Sequence, residues 1–160
     1  MAMDPRELRN VMGHFATGVT IITTTDKSGK AFGLTANAFT SLSLDPPLVL
    51  ICVDKKVDCY ACFEESKVFV VNFLSEDQEH LSKRFATKGI EKFEGVVHRF
   101  GKSGPPLLDG AMAHIECKLI SGHDGGDHTI YVGEVLDATI ASDRPLLFFK
   151  GKYYQLPQNN

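Results

Sequence analysis

Runs of apolar residues and their spacing predict a mainly β protein with a few short helices. Every residue of Val19–Thr25 is β-branched, which suits a pleated sheet better than a helix. Turn residues follow at 26–30, so Ala31–Ala38 is predicted as the returning strand of a hairpin. Leu48–Val53 is continuously apolar and predicts a strand buried on both faces, and Val68–Phe73 predicts a further strand.

The last third of the chain carries the longest predicted strands. Between Met112 and Ile120 apolar and polar positions alternate, so we expect one face to pack on a core and the other to meet water. The apolar positions are Ile115, Cys117 and Leu119, and the polar ones are His114, Glu116 and Lys118. A glycine-rich turn at Gly122–Asp127 precedes a long strand at Thr129–Thr139, and two short strands follow around Leu146–Phe149 and Tyr153–Tyr154.

Short helices are predicted at three places, the first and the third from capping signals. The first begins after Asp4, its predicted N-cap, has proline in the first helical position and ends near Gly13. The second spans Val57–Ser66, and the third opens on a capping box at Ser75 and runs to about Ala86. So few helices among so many strands favour an antiparallel barrel that is closed or nearly closed, because closure removes exposed strand edges.

The organisation of the chain predicts a single domain over residues 1–160. Its length of 160 residues fits one domain, and no internal repeat or domain boundary interrupts it. Thr87–Gly110 shows little periodicity and is predicted as a long, partly structured loop, and loops of that length are usually functional.

Charge and composition exclude several functional classes. With 17 Lys and Arg against 20 Asp and Glu, the net charge is −3, which argues against a general binder of nucleic acid or of anionic membranes. No apolar run approaches the roughly 18–20 residues needed to cross a bilayer, and the N-terminus lacks the plan of a signal peptide. We therefore expect a cytoplasmic protein whose 4 cysteines are reduced thiols.

Two motifs suggest chemistry that their context does not support. Gly101-Lys102-Ser103 would need a glycine at position 96 to form a phosphate-binding loop, and valine stands there. Cys59 and Cys62 form a Cys-x-x-Cys pair without a second pair at metal-site spacing or a βαβ setting for redox chemistry. We interpret the two cysteines as structural thiols on a short helix.

Small polar residues in Gly33–Ser43 suggest that a ligand approaches the backbone. Hydroxyl and amide side chains stand where a buried strand would prefer large aliphatic ones, so a flat polar ligand could use the N–H and C=O groups there. The alternative is an edge strand and turn rich in Ser and Thr. Arg84 also has two interpretations, since a cation at the end of a helix opposes the dipole and an arginine fork suits a phosphate.

His128 is the histidine best placed to meet a ligand. It follows a glycine-rich turn, opens a strand, and can donate a hydrogen bond or carry charge near neutral pH. The alternative is a surface histidine without a role. The remaining histidines show no spacing that would assemble a metal site, so we expect no bound metal.

Taken together, these segments resemble the flavin reductase-like family. The matching segments occur in the family's order and cover nearly the whole chain, from about Leu8 to Tyr154. They are Phe15–Thr20, Gly33–Val49, Phe69–Asn72, Arg84–Phe85, Pro106–Ala111, Gly126–Thr129 and Gly133–Val135. The resemblance implies an antiparallel, Greek-key-like split β-barrel that binds FMN and forms a homodimer.

The resemblance also implies a set of flavin-binding residues. Thr35, Ala36 and Asn37 would line the edge of the isoalloxazine ring, with Ser41 and Leu42 near the ribityl-phosphate region. Asp54 and Lys55 would bound the flavin, and Arg84 with Phe85 would approach its phosphate. Many relatives carry serine where this chain has Asn37, so flavin affinity or redox tuning would differ here. Little sequence follows Tyr154, which favours FMN over FAD, the alternative flavin.

By the same resemblance, His128 would lie on the nicotinamide side of the flavin as the catalytic residue. The implied activity is an NADH- or NADPH-dependent flavin reductase that passes a hydride to the flavin and supplies a partner monooxygenase. The alternative is a flavoprotein without nicotinamide turnover that holds FMN for electron transfer or ligand binding. The sequence does not decide between NADH and NADPH.

Overall fold

The computed structural model describes residues 3–158, which form a mainly β protein with three short helices, as predicted. The helices are α1 (Pro5–Met12), α2 (Tyr60–Ser66) and α3 (Glu79–Ala86). The strands are β1 (Thr17–Gly18), β2 (Thr20–Thr25), β3 (Ala31–Ala36), β4 (Phe39–Leu44), β5 (Pro47–Asp54), β6 (Val68–Phe73), β7 (His98–Phe100), β8 (Pro106–Leu108), β9 (Ala113–Gly125), β10 (His128–Ile140), β11 (Leu146–Phe149) and β12 (Lys152–Gln155).

The main sheet is a barrel that stays open along one seam. Its seven strands follow the order β3-β2-β6-β9-β10-β5-β4, and every neighbouring pair is antiparallel. In a flat sheet its two edge strands would lie about 29 Å apart, since neighbouring strands are about 4.8 Å apart. Yet only Asn37 and Ala38 connect β3 to β4, a link of at most about 11 Å. The sheet must therefore curl until its edges meet, which confirms the nearly closed barrel.

Two hydrophobic cores lie on opposite sides of β2. Ile22 packs inside the barrel with residues such as Phe69 and Tyr131, whereas Ile21 packs outside it. The outer core also contains Leu81 of α3, Leu108 of β8 and Leu146 of β11, and all six residues of β2 are buried. β2 is thus buried on both faces, because α3 and the short strands cover its outer face.

The prediction that Leu48–Val53 is buried on both faces was wrong. In β5 the buried residues Val49, Ile51 and Val53 alternate with half-buried ones, so only the inner face is sealed. An unbroken apolar run does not reveal whether another element covers the outer face.

The predicted water-facing side of β9 is confirmed at the exposed Lys118 but was wrong at His114 and Glu116. His114 and Glu116 are only 7% and 5% exposed, because the β7–β8 hairpin lies over them. The backbone N–H and the hydroxyl of Ser103 donate to the Glu116 carboxylate, at 2.8 and 2.6 Å, and His114 Nε2 lies 2.9 Å from the Leu108 carbonyl oxygen. This hairpin lies within Thr87–Gly110. The prediction of a long, partly structured loop over those residues is therefore confirmed.

The sequence pattern places the start of α1 correctly but not that of α3. Asp4 caps α1 as predicted, since its carboxylate accepts a hydrogen bond from the Arg6 N–H at 2.9 Å. Gln78 accepts from the Ser75 N–H, but the Ser75 hydroxyl donates to Asp77 and to the Gly110 carbonyl. Ser75 thus anchors a loop, and α3 begins only at Glu79.

Candidate functional site

The seam between β3 and β4 presents unpaired backbone groups. Within residues 3–158, β3 pairs only with β2 and β4 pairs only with β5, so each strand has one free edge. A free strand edge displays a row of N–H and C=O groups that can bind an extended or flat polar partner. Of the predicted flavin-binding residues, Thr35 and Ala36 lie at the end of β3, Asn37 follows them, and Ser41 and Leu42 lie on β4.

Hydroxyl groups fix the end of β3 from two sides. Thr20 donates to the Ala36 carbonyl at 2.5 Å, and Thr35 donates to the Ser82 carbonyl of α3, also at 2.5 Å. The Thr35 side chain is therefore engaged inside the protein. What this strand end offers a ligand is its backbone, together with the exposed Asn37 amide, whose nitrogen lies 3.4 Å from the Thr17 hydroxyl.

The opposite side of the seam contains a β-bulge. Ser41 pairs with Val49 and Ser43 with Leu48, so Leu42 is the extra residue of β4. Ser41 and Leu42 are both exposed. The bulge bends β4 at the residues that the family resemblance implies lie near the ribityl chain of the flavin.

A cleft of about 360 Å³ opens beside the seam. Asn37 and Thr17 are among its polar residues, and the apolar lining includes Phe39 and Phe73, whose rings meet edge to face at 5.1 Å. The segment Phe15–Thr20 forms much of one wall. No residue of Phe15–Thr20 was predicted as a site residue, although this segment is one of those that match the flavin reductase-like family.

Two further candidates, Asp54 and His128, lie on the barrel rim next to Asn37. The Ala38 carbonyl accepts a hydrogen bond from Cys52 N at 3.0 Å, and two residues further along β5 Asp54 pairs with His128 of β10. Since neighbouring strands are about 4.8 Å apart, His128 lies about 10 Å across the sheet from the end of the seam. The structure thus places Asn37, Asp54 and His128 on one rim.

The His128 imidazole is held by the residue before it. Its Nδ1 lies 2.7 Å from Asp127 Oδ1, and 40% of its side chain is exposed. This contact lowers the pKa of the Asp127 carboxyl. Because the carboxylate engages Nδ1, Nε2 is the ring nitrogen that could bind a further partner.

Arg84 and Phe85 lie behind β3. The Arg84 guanidinium donates from Nε to the Lys92 carbonyl at 2.7 Å and from Nη2 to the Glu91 carbonyl at 2.8 Å. Two of its three guanidinium nitrogens therefore hold the loop after α3, and within residues 3–158 no hydrogen bond engages Nη1. Phe85 is 1% exposed and packs edge to face on Phe93, so its surroundings are core rather than ligand surface.

The remaining motifs have structural surroundings. Gly101-Lys102-Ser103 lies in the turn of the β7–β8 hairpin. Cys59 and Cys62 are buried beside the barrel core, and burial raises the pKa of the Cys59 thiol to about 11. A thiol that stays protonated at neutral pH is a poor nucleophile, which agrees with the structural interpretation.

Over residues 3–158, no helix is both long enough and apolar enough to span a membrane.

The seam and the rim fit a flavin on structural grounds. An isoalloxazine ring is flat and carries donors and acceptors along one edge, which suits the edges of β3 and β4 that no neighbouring strand pairs with within residues 3–158. The adjacent cleft adds aromatic walls, and Arg84, whose guanidinium suits a phosphate, lies on α3, which packs against β3.

Comparison with known proteins agrees with this geometry. A family model described as a flavin reductase like domain matches residues 12–157. The reductase subunit HsaB of a flavin-dependent monooxygenase from Rhodococcus jostii (strain RHA1) is 46% identical over 153 residues, covering 95% of this chain and 78% of that protein. The FMN reductase (NADH) SmoA of Agrobacterium fabrum is 42% identical over 148 residues, covering 92% of this chain and 84% of that protein.

A solved structure shares the whole architecture. The NADH:FAD oxidoreductase SgcE6 of Streptomyces globisporus C-1027, in complex with NAD and FAD fragments, superimposes with a TM-score of 0.90 at 40% identity. The superposition covers 98% of this chain and 97% of that one. With its split barrel and a family model that matches it nearly end to end, the chain belongs to the flavin reductase-like family.

Proposed function

We propose that this protein is an NAD(P)H-dependent flavin reductase that reduces FMN, or FAD, and supplies the reduced flavin to a separate monooxygenase. The observation that carries the proposal is the seam of free strand edges opening onto the rim where His128 stands. The names of the relatives support it, since HsaB is a monooxygenase reductase subunit, SmoA an NADH-dependent FMN reductase and SgcE6 an NADH:FAD oxidoreductase.

In this proposal the backbone of β3 provides most of the recognition. A bound flavin supplies the hydride-accepting ring, and NADH or NADPH donates the hydride while water supplies the accompanying proton. N–H groups around Thr35, Ala36 and Asn37 are fixed by the sheet, so they can meet negative charge on the ring edge without rearranging. Ser41 and Leu42 would flank the ribityl chain, and Asp54 would close the rim.

Two charged or titratable side chains have distinct tasks. Arg84 would donate from Nη1 to the flavin phosphate while its other donors keep the loop after α3 in place. His128, oriented by Asp127, would hydrogen-bond the nicotinamide amide and hold that ring over the flavin. Neither task requires His128 to transfer a proton.

We also propose that the protein acts as a homodimer. Phe15 at the cleft is 79% exposed, and Leu44 at the end of β4 is 94% exposed. β10 extends beyond β5, since Glu134 already pairs with Leu48 near the start of β5. Ile140, the last residue of β10, is 86% exposed. Exposed apolar side chains of this size are typical of an interface, so in this proposal a second copy would cover them together with the flavin cleft.

Anaerobic stopped-flow mixing of the protein, FMN and NADH or NADPH tests the activity. We expect the absorbance of oxidised flavin to bleach with at least one nicotinamide, and faster than it does without protein. Tight FMN binding without bleaching by either nicotinamide would overturn the reductase proposal in favour of a flavoprotein for electron transfer or ligand binding.

A further inference from the structure

Lys55 makes contacts that a flavin-binding role does not require. Its ammonium donates to the Asp124 carboxylate and to the Gly126 carbonyl at 2.6 Å, and its backbone N–H donates to the Asp127 carbonyl at 3.0 Å. One residue at the end of β5 therefore holds three residues of the β9–β10 turn. Two of the three ammonium protons are committed to these contacts.

The turn that Lys55 holds is the one that carries His128. β9 ends at Gly125 and β10 begins at His128, so only Gly126 and Asp127 connect them. Gly126 adopts a φ of +76°, a left-handed value that glycine adopts most readily. Residues 122–127 are all exposed, so little packing fixes the turn. The β-ladders hold His128 through its pairing with Gly125 and Asp54, and Lys55 adds the side-chain contact that limits the orientation of Asp127.

The energetics favour a positioning task over a stabilising one. The Lys55 side chain is 35% exposed and that of Asp124 is 81% exposed, and exposed ion pairs add little to stability. The contact still has a defined geometry, because the ammonium bridges a carboxylate on β9 and a carbonyl in the turn. Its main effect is thus to limit where the turn can lie.

We propose that Lys55 is a positioning residue for nicotinamide binding, which holds the β9–β10 turn so that Asp127 presents His128 to the nicotinamide. The inference rests on the proposed function, because it gives a task to the residue that orients His128. It also reassigns Lys55, which the family resemblance placed beside the flavin.

Three single variants test the inference. Lys55→Met removes the ammonium, Lys55→Arg retains a cation that can reach both oxygens, and Lys56→Met removes the same charge from the neighbouring exposed residue. We expect Lys55→Met to raise KM for NADH about tenfold, within the range that a misplaced binding group costs. FMN affinity should stay within about twofold, Lys55→Arg should recover most of the loss, and Lys56→Met should behave like the unmodified protein.

A readout without flavin or nicotinamide separates positioning from catalysis. In NMR spectra of the flavin-free protein, Lys55→Met should shift or broaden the His128 ring signals and speed hydrogen exchange of the His128 amide. Asp124→Asn should do the same to a smaller degree, because the Gly126 carbonyl contact remains. Combining Lys55→Met with Asp124→Asn should add less than the sum of the two single effects, since both remove one bridge.

Each contrary result has a definite meaning. Weaker FMN binding by Lys55→Met with an unchanged KM for NADH would overturn the inference and return Lys55 to the flavin. An unchanged KM together with unchanged His128 signals would also overturn it. His128→Ala distinguishes failure of the proposed role of His128 from failure of the proposed role of Lys55. If His128→Ala also leaves the nicotinamide kinetics unchanged, the role of His128 is overturned. If His128→Ala changes the kinetics and Lys55→Met does not, only the role of Lys55 is overturned.

Discussion

The absence of a side chain at Gly33 lets the Phe85 ring pack directly against β3. A Cβ at this position would lie 2.8 Å from a ring carbon of Phe85, closer than real contacts allow. The Gly33 carbonyl also accepts a hydrogen bond from the Lys92 ammonium at 3.1 Å. One small residue thus joins the strand of the seam to α3 and to the loop that Arg84 fastens.

Gly33→Ala should destabilise the protein. Inserting a methyl group against an enclosed aromatic ring forces side chains or backbone to shift, which costs about 1–3 kcal/mol. Urea unfolding followed by circular dichroism measures the change. Gly18→Ala is the control, because a Cβ there meets no atom within 4 Å. Equal stabilities of the two variants would show that Phe85 can move aside freely.

Arg84→Ala should weaken FMN binding much more than riboflavin binding. If Nη1 donates to the phosphate, its loss should cost about 1.5–3 kcal/mol for FMN, the range for hydrogen bonds to charged groups. Riboflavin lacks the phosphate, so its affinity reports only on the loop that Arg84 also fastens. Fluorescence titrations with both flavins measure the difference.

The control for Arg84 is its neighbour Lys83. Lys83 forms an ion pair with Glu79 on the same helix, so Lys83→Ala removes a cation without removing the loop contacts. That variant should bind both flavins normally. Equal losses for FMN and riboflavin in Arg84→Ala would identify Arg84 as a structural anchor.

At the scale of single elements, the sequence predicted most strands but not what covers them. The spacing of apolar residues and the runs of β-branched residues located β2, β6 and β10 well, because both patterns depend only on neighbouring residues in the sequence. Burial of His114 and Glu116 depends on the β7–β8 hairpin, which reaches them from a distant part of the chain. Arg84 was a candidate from its residue type and from the family resemblance, and Lys55 from the resemblance alone. The contacts of both were missed, because a sequence shows residue types and not their partners.

The burial of His114 on β9 predicts a pH dependence of stability. Burial lowers the pKa of His114, so in the folded protein the neutral ring is favoured. Below the ordinary histidine pKa of about 6.5, the unfolded chain therefore binds more protons than the folded one. The contribution of His114 to stability is present above that pH and is lost as the pH falls through it toward the lower folded value.

Thermal unfolding at a series of pH values from about 8 to 5 tests this prediction. The midpoint should fall less steeply in His114→Gln than in the unmodified protein, because glutamine does not titrate. His80→Gln, at an exposed position on α3, is the control and should keep the original slope. An unchanged slope in His114→Gln would mean that other groups govern acid sensitivity.

For the whole molecule, the open seam and the exposed apolar residues have a common explanation. A barrel that closed fully would hide the edges of β3 and β4, and a ligand could then use neither. The split leaves those edges available but also leaves Phe15, Leu44 and Ile140 in water. A second copy packed on this side would resolve both requirements, since it would cover apolar surface while forming the far wall of the cleft.

The last prediction concerns this assembly. Sedimentation should give twice the monomer mass of 17.6 kDa at micromolar concentration. Leu44→Lys should shift the protein toward monomer, because a buried unpaired ammonium at an interface is costly, and FMN affinity should fall with it. Leu44→Met keeps an apolar side chain of similar size and should remain dimeric with normal affinity. A Leu44→Lys monomer that still binds FMN tightly would show that one copy forms the whole cleft, and an unmodified protein that sediments as a monomer would overturn the dimer itself.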